Sequence, residues 1–326
     1  MRQTLWVVHF RNAVVLIPAM NQSAQAHLPG PKASGRGASP HAAHPPRRLA
    51  WTPACFHHLS WLIWLGLLLV IELGSLKAQV LALSPKGQPG PCSVAQWKQD
   101  WPGCEFEDGV REGHLQIQRL PSGELAWRVL CQAGRIGPEQ GGSGWRWPLP
   151  MGGVLGLRLS YDLRFEEGFE FVKGGKLPGL CGGPKTITGG EHCSGLEGWS
   201  MRLMWRRDGR AQAYVYHPRM PKKYGEEFDF PSDFRFIPGQ TQRIEIELRI
   251  NSIGSADGSL RVRARQSERA PWKLLLHHQA MEWTRREGIA IDSLLWNIFH
   301  GGNDSSWAPQ QTCALTISAL QLEPLH

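Results

Sequence analysis

Residues 199–217 read WSMRLMWRRDGRAQAYVYH. Apolar and polar side chains alternate over residues 199–206 and again over residues 211–217. A period of two is typical of β-strands that bury one face. Asp208 and Gly209 lie between the two stretches and form a common hairpin turn sequence. The stretch therefore predicts a β-hairpin.

The register of this hairpin decides which side chains meet, because a shift of one residue turns every side chain to the other face. A two-residue loop would pair Arg202 with Val215 and divide the polar side chains between both faces. A three-residue loop, with Gly209 in a left-handed bulge, pairs Arg202 with Tyr214 instead. We predict the second register because it gives the hairpin one apolar and one polar face. The polar face then carries Ser200, Arg202, Tyr214 and Tyr216.

Two other stretches accompany the hairpin. Residues 174–180 read GGKLPGL, and residues 299–304 read FHGGND. Within the predicted hairpin, the first strand reads S-x-R-x-x-W and the second reads Y-x-Y-x-P. Taken in their order along the chain, these four motifs resemble polysaccharide lyase family 14, which contains alginate and glucuronan lyases. The similarity covers about residues 154–322, and His300 departs from the second aromatic residue of the family's FFGG-type stretch.

Short alternating stretches with turn sequences between them predict an all-β fold, an antiparallel β-sandwich. No long stretch keeps a helical period. The family resemblance implies, more specifically, a jelly roll whose concave face holds a sugar chain. Strands are expected over residues 154–165, 169–173, 244–250, 260–264, 289–299 and 312–322, with a further hairpin over residues 114–129.

The N-terminal part of the chain differs from the rest in composition. Residues 1–58 are rich in Pro, Ala, His and Gly and poor in acidic residues, which is typical of a disordered leader, or of an upstream start that is not used. Residues 61–71 form an apolar run of 11 residues, shorter than the roughly 20 that a membrane-spanning helix needs. Residues 59–82 therefore predict a signal peptide, with cleavage after Ala78 or Ala82, and an uncleaved signal anchor is the alternative.

The remaining residues are expected to be extracellular. Residues 83–110 are interpreted as a linker and a small cross-linked loop, and residues 111–326 as the sandwich domain. We expect a secreted monomer, or a single-pass membrane protein with an extracellular catalytic domain if the signal segment is retained.

The net charge does not indicate a nucleic-acid partner. The formal charge is +8, but the first 82 residues hold seven Lys or Arg and one acidic residue, and the rest of the chain is close to neutral. Residues 202–223 are an exception, with seven Lys or Arg against Asp208. This stretch either attracts a polyanion or forms a solvated charged face. The expected partner is an acidic polysaccharide, and no nucleic acid is expected.

The cysteines are compatible with an exported protein. Cys55 lies in the segment expected to be removed, and an even number of cysteines remains, which suggests up to three disulfides. Proximity in the sequence favours two pairs and leaves a third, namely Cys92–Cys104, Cys181–Cys193 and Cys131–Cys313. A catalytic cysteine is the alternative, but no cysteine–histidine signature supports it.

Cleavage of a uronate polymer by β-elimination sets chemical requirements. A base removes the proton on C5, and an acid protonates the O4 leaving group. The neighbouring carboxylate disfavours charge at C5, so donors already in place have to neutralise it. Arg202 suits this task because a guanidinium is always charged and binds a carboxylate through two parallel hydrogen bonds. Lys176, on a predicted glycine-flanked loop, supplies a second positive charge.

Tyr214 and Tyr216 are two residues apart on the predicted strand and point the same way. A tyrosine with a pKa near 10 is a poor base, but Arg202 and Lys176 beside it would favour the phenolate. The pair then supplies the base and the acid, and the sequence does not decide which is which. The family resemblance implies that these four residues and Ser200 form the active site.

Further residues are expected to line the cleft. His192 is interpreted either as a cleft histidine or as a structural one beside Cys193. His300 and Asn303 lie in the downstream motif and are expected to bind substrate, and Asn303 also begins a glycosylation sequon. No metal-ligand spacing occurs in the sequence, and no cofactor is expected.

Three alternative functions compete with the lyase. A jelly-roll lectin would keep the cleft without cutting, although binding alone does not require the tyrosine pair. A glycoside hydrolase would need two carboxylates about 5 to 9.5 Å apart, and nothing places two of Glu166, Glu167 and Glu170 across the cleft. A serine hydrolase at Ser200 lacks the second glycine of a nucleophile elbow. The lyase is therefore the predicted activity.

Overall fold

The computed structural model describes residues 5–10, 13–18, 80–104 and 106–325. The chain divides into two units, Met1–Leu67 and Leu68–His326. In the first, strands β1 (Leu5–Phe10) and β2 (Ala13–Pro18) pair antiparallel. These strands were not predicted; the remainder of the predicted leader and nearly all of the predicted signal segment lie outside the described residues.

The second unit is built from two antiparallel sheets. We call the six-stranded one the inner sheet. In spatial order it contains β12 (Glu226–Asp229), β11 (Ala211–Tyr216), β10 (Trp199–Arg206), β9 (Gly174–Gly182), β16 (Ser293–His300) and β7 (Gly142–Pro148).

The second sheet, called the outer sheet, is larger. Its spatial order is β15 (Lys273–Met281), β14 (Gly258–Arg265), β13 (Thr241–Arg249), β8 (Gly156–Phe165), β17 (Cys313–Pro324), β6 (Leu125–Cys131), β5 (Leu115–Arg119) and β4 (Gly90–Pro91), and β3 (Leu81–Leu83) also pairs with β17. The described helices are short, α1 (Val94–Asp100) and α2 (Pro138–Gly141), and none of them is long and apolar enough to cross a membrane.

Alternation along the strands builds the core between the sheets. In β8, Leu157, Leu159, Tyr161 and Leu163 are fully buried, while the residues between them are more exposed. Each fully buried side chain of this kind contributes about 1.5–3 kcal/mol to folding. The all-β, antiparallel sandwich of jelly-roll type is therefore confirmed, as are most of the predicted strands.

A group of tryptophans fills one end of the core. Trp101, at the C-terminal end of α1, contacts four other indole rings at centroid distances of 5.0 to 5.5 Å. Trp145 on β7 and Trp296 on β16 stack in parallel, with ring centroids 4.9 Å apart. The N-terminal helix is thus tied to both sheets, although its segment was predicted to be a linker and a loop.

The GGKLPGL stretch corrects a prediction. It was interpreted as a loop, and residues 169–173 as a strand; instead β9 begins at Gly174, and Val172 before it has a φ of 46°. Glycine and proline are depleted in strands, which explains the error. In β9 the glycines make room for neighbours, because a Cβ on Gly175 would lie 2.0 Å from the Trp205 ring.

The predicted boundary at Ala82 also differs from the structure. Leu81–Leu83 pairs with Leu320–Leu322 of the last strand, so the boundary falls inside β3. Farther along, the thiols of Cys92 and Cys104 hydrogen-bond to the carbonyls of Ser93 and Arg146, respectively. All six cysteines of the described residues carry free thiols in this structure.

Candidate active site

The hairpin of β10 and β11 has the predicted register. Arg202 lies opposite Tyr214, and Ser200 lies opposite Tyr216. The turn consists of residues 207–209, in which Gly209 has a φ of 71°. The three-residue loop is therefore confirmed, and it places the four polar residues on one face of the inner sheet. We call this face the polar face.

The polar face holds a compact group of ionisable side chains. The Lys176 Nζ atom lies 3.5 Å from the centroid of the Tyr214 ring. The Arg202 Cζ atom lies 5.7 Å from the Tyr214 ring centroid and 5.8 Å from the Tyr216 ring centroid. The two tyrosine hydroxyl oxygens are 3.3 Å apart. Lys176, Arg202, Tyr214 and Tyr216, predicted from separate motifs, thus form one site.

Arg202 is the buried charge of this group. It is 3% exposed, and its Nη1 donates a hydrogen bond to the Asn297 Oδ1 at 3.1 Å. Its Nε and Nη2 are buried and have no hydrogen-bond partner among the described residues. Burial lowers the pKa of the guanidinium below its usual value. A buried cation with two unused donors is prepared to bind an anion, since an unpaired buried charge is costly.

Lys176 extends from β9 across β10 toward β11. Its Nζ contacts the Met204 Sδ at 3.0 Å, and the amino group is enclosed although part of the side chain is exposed. Burial lowers the pKa of this amine well below its usual value, and the positive charges of Arg202 and Arg206 lower it further. The neutral form of the Lys176 amine is therefore more accessible than that of an ordinary lysine.

The two tyrosines differ in their surroundings. Tyr214 is 8% exposed and Tyr216 only 1%, so Tyr214 is the more accessible ring. Burial raises the pKa of Tyr214, and its hydrogen bond with Tyr216 raises it further. The Tyr216 oxygen accepts a hydrogen bond from the Gly190 N–H at 2.9 Å. Tyr214 therefore retains its proton, while Tyr216 lies behind it with its oxygen already hydrogen-bonded.

Two backbone segments cover the tyrosine pair. A Cβ on Gly225 would lie 2.9 Å from the Tyr216 ring and 3.1 Å from the Tyr214 ring, so only glycine fits there. On the other side, the Ser200 hydroxyl donates to the Ile187 carbonyl at 2.5 Å. Ser200 is fully buried and holds the segment that carries Gly190. Its position is that of a residue that supports the site.

The remaining predicted site residues lie elsewhere. His192 is exposed on the segment that also carries Gly190, and Asn303 is exposed before a short 3-10 turn. His300 is fully buried, bonds to the Glu170 carbonyl at 2.7 Å and stacks on Phe169 in the core. The expectation that His300 lines the cleft is therefore wrong. Neighbouring residues of a strand point to opposite faces, and the side chain of His300 points into the core and not to the polar face.

Three positions of the candidate site were not predicted as site residues from the sequence. Asn297 orients Arg202, and it lies between the fully buried Trp296 and Ile298 on β16, so alternation alone would have placed it on the polar face. The backbone N–H of Gly190 has no signal in the sequence at all. Met204 did have one, since it alternates with Arg202 on the same strand.

Two cysteines near the site are buried thiols. Cys181 is fully buried on β9, and the Cys193 thiol hydrogen-bonds to the Gly198 carbonyl at 3.3 Å. Burial raises the pKa of each thiol to about 11. A raised pKa disfavours the nucleophilic thiolate, which argues against a catalytic cysteine. Neither thiol is bonded to the other in this structure.

An arginine, a lysine and two tyrosines on one face of an antiparallel β-sandwich supply the charge and the proton-transfer groups that a polysaccharide lyase requires. Residues 154–319 match the family model described as Polysaccharide lyase 14. The chain therefore belongs to polysaccharide lyase family 14, which confirms the resemblance found in its motifs.

Several solved structures have the same fold. The marine PL-14 alginate lyase from Aplysia kurodai has 23% sequence identity and a TM-score of 0.66, with 76% of this chain and 99% of that chain covered. Alginate lyase Aly36B has 21% identity and a TM-score of 0.64, with coverage of 77% and 100%. Alginate lyase vAL-1 from Chlorella virus has 20% identity and a TM-score of 0.58, with coverage of 71% and 96%. No curated protein sequence matches the chain.

A substitution at Gly179 tests how the sheet is fitted around Arg202. Gly179 lies opposite Arg202 on β9, and a Cβ there would be 2.0 Å from the Met201 carbonyl oxygen. We expect Gly179→Ala to lower the free energy of unfolding by about 1–3 kcal/mol, because the strand has to move. Urea denaturation measures the change.

Gly301→Ala is the matched control for this substitution. A Cβ at Gly301 would have its nearest neighbour at 3.8 Å, an ordinary van der Waals distance. Its free energy of unfolding should stay within about 0.5 kcal/mol of the parent value. Equal stability of the Gly179→Ala protein and the parent would contradict the close fit.

Proposed function

We propose that the chain cleaves an acidic polysaccharide made of uronate units, with alginate or a glucuronan as the substrate class, by β-elimination. The observation that carries the proposal is the buried Arg202 guanidinium, two of whose nitrogens lack partners among the described residues. It lies beside a tyrosine pair and an enclosed amine. This arrangement suits a carboxylate whose neighbouring carbon loses a proton.

Arg202 binds the carboxylate next to C5. A fixed guanidinium stabilises the negative charge that develops as the C5 proton leaves, and it needs no rearrangement when it does so. Asn297 keeps the guanidinium in place through its Oδ1. In two of the Aly36B structures, the protein is in complex with alginate oligosaccharides, which agrees with an anionic sugar chain as the ligand.

We assign the base to Lys176 and the acid to Tyr214. The lowered pKa of Lys176 makes a neutral amine available to take the C5 proton. As the C4–O4 bond breaks, Tyr214, whose pKa is raised, gives its proton to O4. The products are a C4–C5 double bond and a new chain end. Tyr216 orients Tyr214 through the contact between their hydroxyl groups. This differs from the expectation that both proton-transfer groups are tyrosines.

A hydrolase receives no support from the acidic residues near β8. The carboxylate of Glu166 binds Arg128 at 2.6 Å, and that of Glu170 accepts the backbone N–H groups of Gln310 and Gln311. Both are therefore engaged away from the polar face. A lectin without catalytic activity remains as an outcome of the experiment below.

Ultraviolet absorbance tests the activity and its substrate together. The purified protein is mixed in turn with polymannuronate, polyguluronate and polyglucuronate, because elimination creates a conjugated double bond and hydrolysis does not. We expect absorbance to rise on at least one polymer. Tyr214→Phe should lower the rate about 100-fold or more while binding persists, since only a proton donor is lost. Tyr216→Phe should lower the rate less than Tyr214→Phe does.

A flat trace on all three polymers, together with measurable binding, would contradict the lyase proposal and favour the lectin. Full activity of Tyr214→Phe would contradict only the assignment of Tyr214 as the acid.

Lys176→Arg distinguishes a base from a simple positive charge. Arginine keeps the charge but does not lose its proton, so we expect turnover to fall about 100-fold or more while the polymer still binds. In the parent protein, kcat/KM should rise as pH increases through the lowered pKa of Lys176, because the amine becomes neutral. The pH profile of kcat/KM and calorimetric binding measure the two effects. A Lys176→Arg protein that retains its activity would show that Lys176 supplies only charge.

We also propose that the protein is exported and that Cys131 and Cys313 join in a disulfide there. The two residues are directly opposite on β6 and β17, and each thiol shifts the pKa of the other, up for Cys131 and down for Cys313. Opposite residues of an antiparallel pair have Cα atoms about 4.5–5.5 Å apart, within the range of roughly 4.4–6.8 Å that disulfides require. An oxidising compartment would therefore join them without rearranging the sheet.

Mass spectrometry of the protein secreted from eukaryotic cells tests this proposal. We expect Cys131 and Cys313 in one linked peptide and a glycan on Asn303, which is exposed. The mature chain should begin after Ala78 and not after Ala82, because cleavage at Ala82 would remove most of β3. Reduced Cys131 and Cys313 in the secreted protein would contradict the disulfide. Recovery of the protein in the membrane fraction of the same cells, with its leader retained, would support the signal anchor.

A further inference from the structure

The polar face continues beyond the group of Lys176, Arg202 and the tyrosines. Arg206 is the last residue of β10 and lies four positions from Arg202 on the same face. At a rise of about 3.3 Å per residue, their Cα atoms are roughly 13 Å apart along the strand. That span exceeds a single sugar ring. Arg206 is close enough to Lys176 for its charge to lower the pKa of that amine, which indicates that both side chains share one electrostatic environment.

Arg206 meets an aromatic ring and a second cation at this end of the sheet. The Arg206 Cζ atom and the Lys173 Nζ atom each lie 5.7 Å from the centroid of the Trp307 ring. Lys173 also donates a hydrogen bond to the Ser306 hydroxyl. The Trp307 ring is half-buried, and a Cβ on Gly302 would lie 2.1 Å from it, so the backbone at Gly302 fixes the ring in place.

The positive charge of this cluster is only partly balanced. Among the described residues, the ion pair found for Arg206 is with Glu227, at 3.9 Å, and the Glu227 side chain is 48% exposed. The Asp304 carboxylate accepts hydrogen bonds from the backbone N–H and the hydroxyl of Ser306. A partly exposed pair at such a distance is weak. An incoming carboxylate can therefore compete with Glu227 for the Arg206 guanidinium.

We propose that Arg206, Lys173 and Trp307 form a second subsite of the cleft, which binds another uronate unit of the same polymer. The cations bind its carboxylate, and the indole offers an apolar surface to the C–H face of its sugar ring. The subsite rests on the proposed function for the identity of its ligand. Its consequence is that chain length matters, because only an oligomer long enough to reach both Arg202 and Arg206 gains the additional contacts.

Turnover of uronate oligomers of increasing length tests the subsite. The purified protein and its Arg206→Ala, Lys173→Gln and Trp307→Ala variants are compared on trimers through octamers of the polymer that the parent cleaves. We expect kcat/KM of the variants to fall on octamers by about tenfold, the effect of losing one charge-assisted contact of about 1.4 kcal/mol. On trimers, Lys173→Gln and Trp307→Ala should leave it within about twofold. Arg206→Ala also removes a charge that lowers the pKa of Lys176, so its expected result is a loss about tenfold greater on octamers than on trimers. Arg210→Ala is the matched control, since Arg210 is exposed directly after the turn of the same hairpin, and it should change neither value.

An equal loss at every chain length would overturn the proposal, because the substitutions would then act on the catalytic group or on the fold. No loss at any length in Arg206→Ala and Lys173→Gln would overturn it as well. Titration calorimetry with the same oligomers separates this proposal from the activity itself. If the parent binds octamers without cutting them, and Arg206→Ala weakens octamers but not trimers, the lyase proposal fails while the subsite stands.

Discussion

The buried charge of Arg202 is the constraint on which the inner sheet depends. A guanidinium at 3% exposure has to be hydrogen-bonded or matched by an anion. The chain supplies one fixed acceptor, Asn297, from two strands away. The intervening strand presents Gly179 opposite Arg202, where a side chain would not fit. The site therefore requires a glycine at position 179 of β9 as much as it requires the cations.

The same arrangement separates the chemical roles of the ionisable groups. Lys176 and Tyr214 are in direct contact, yet burial moves their pKa values in opposite directions, down for the amine and up for the phenol. A group that gives up its proton easily thus lies beside one that keeps it. Backbone donors and close-fitting glycines, such as Gly190 and Gly225, complete the site without adding charge.

Local sequence patterns predicted part of this arrangement and missed the rest for identifiable reasons. The hairpin register followed from alternation and turn chemistry within 19 consecutive residues, 199–217, and both cross-strand pairs are present. The strand character of GGKLPGL was not predicted. Its glycines are required by close contacts with Trp205 and Met201 on the next strand, and not by their neighbours in the sequence. Alternation along β16 does indicate the faces of Asn297 and His300, because Trp296, Ile298 and His300 are all fully buried on one side. The hydrogen bond from Arg202 to Asn297, two strands away, is what no local pattern reveals.

The pairing of β3 with β17 determines where the preceding chain joins the domain. Leu81–Leu83 belongs to the outer sheet, whereas Arg202 and the tyrosines belong to the inner sheet on the other side of the core. The chain ahead of β3 consequently enters the domain at the outer sheet, and the core lies between this point of entry and the polar face.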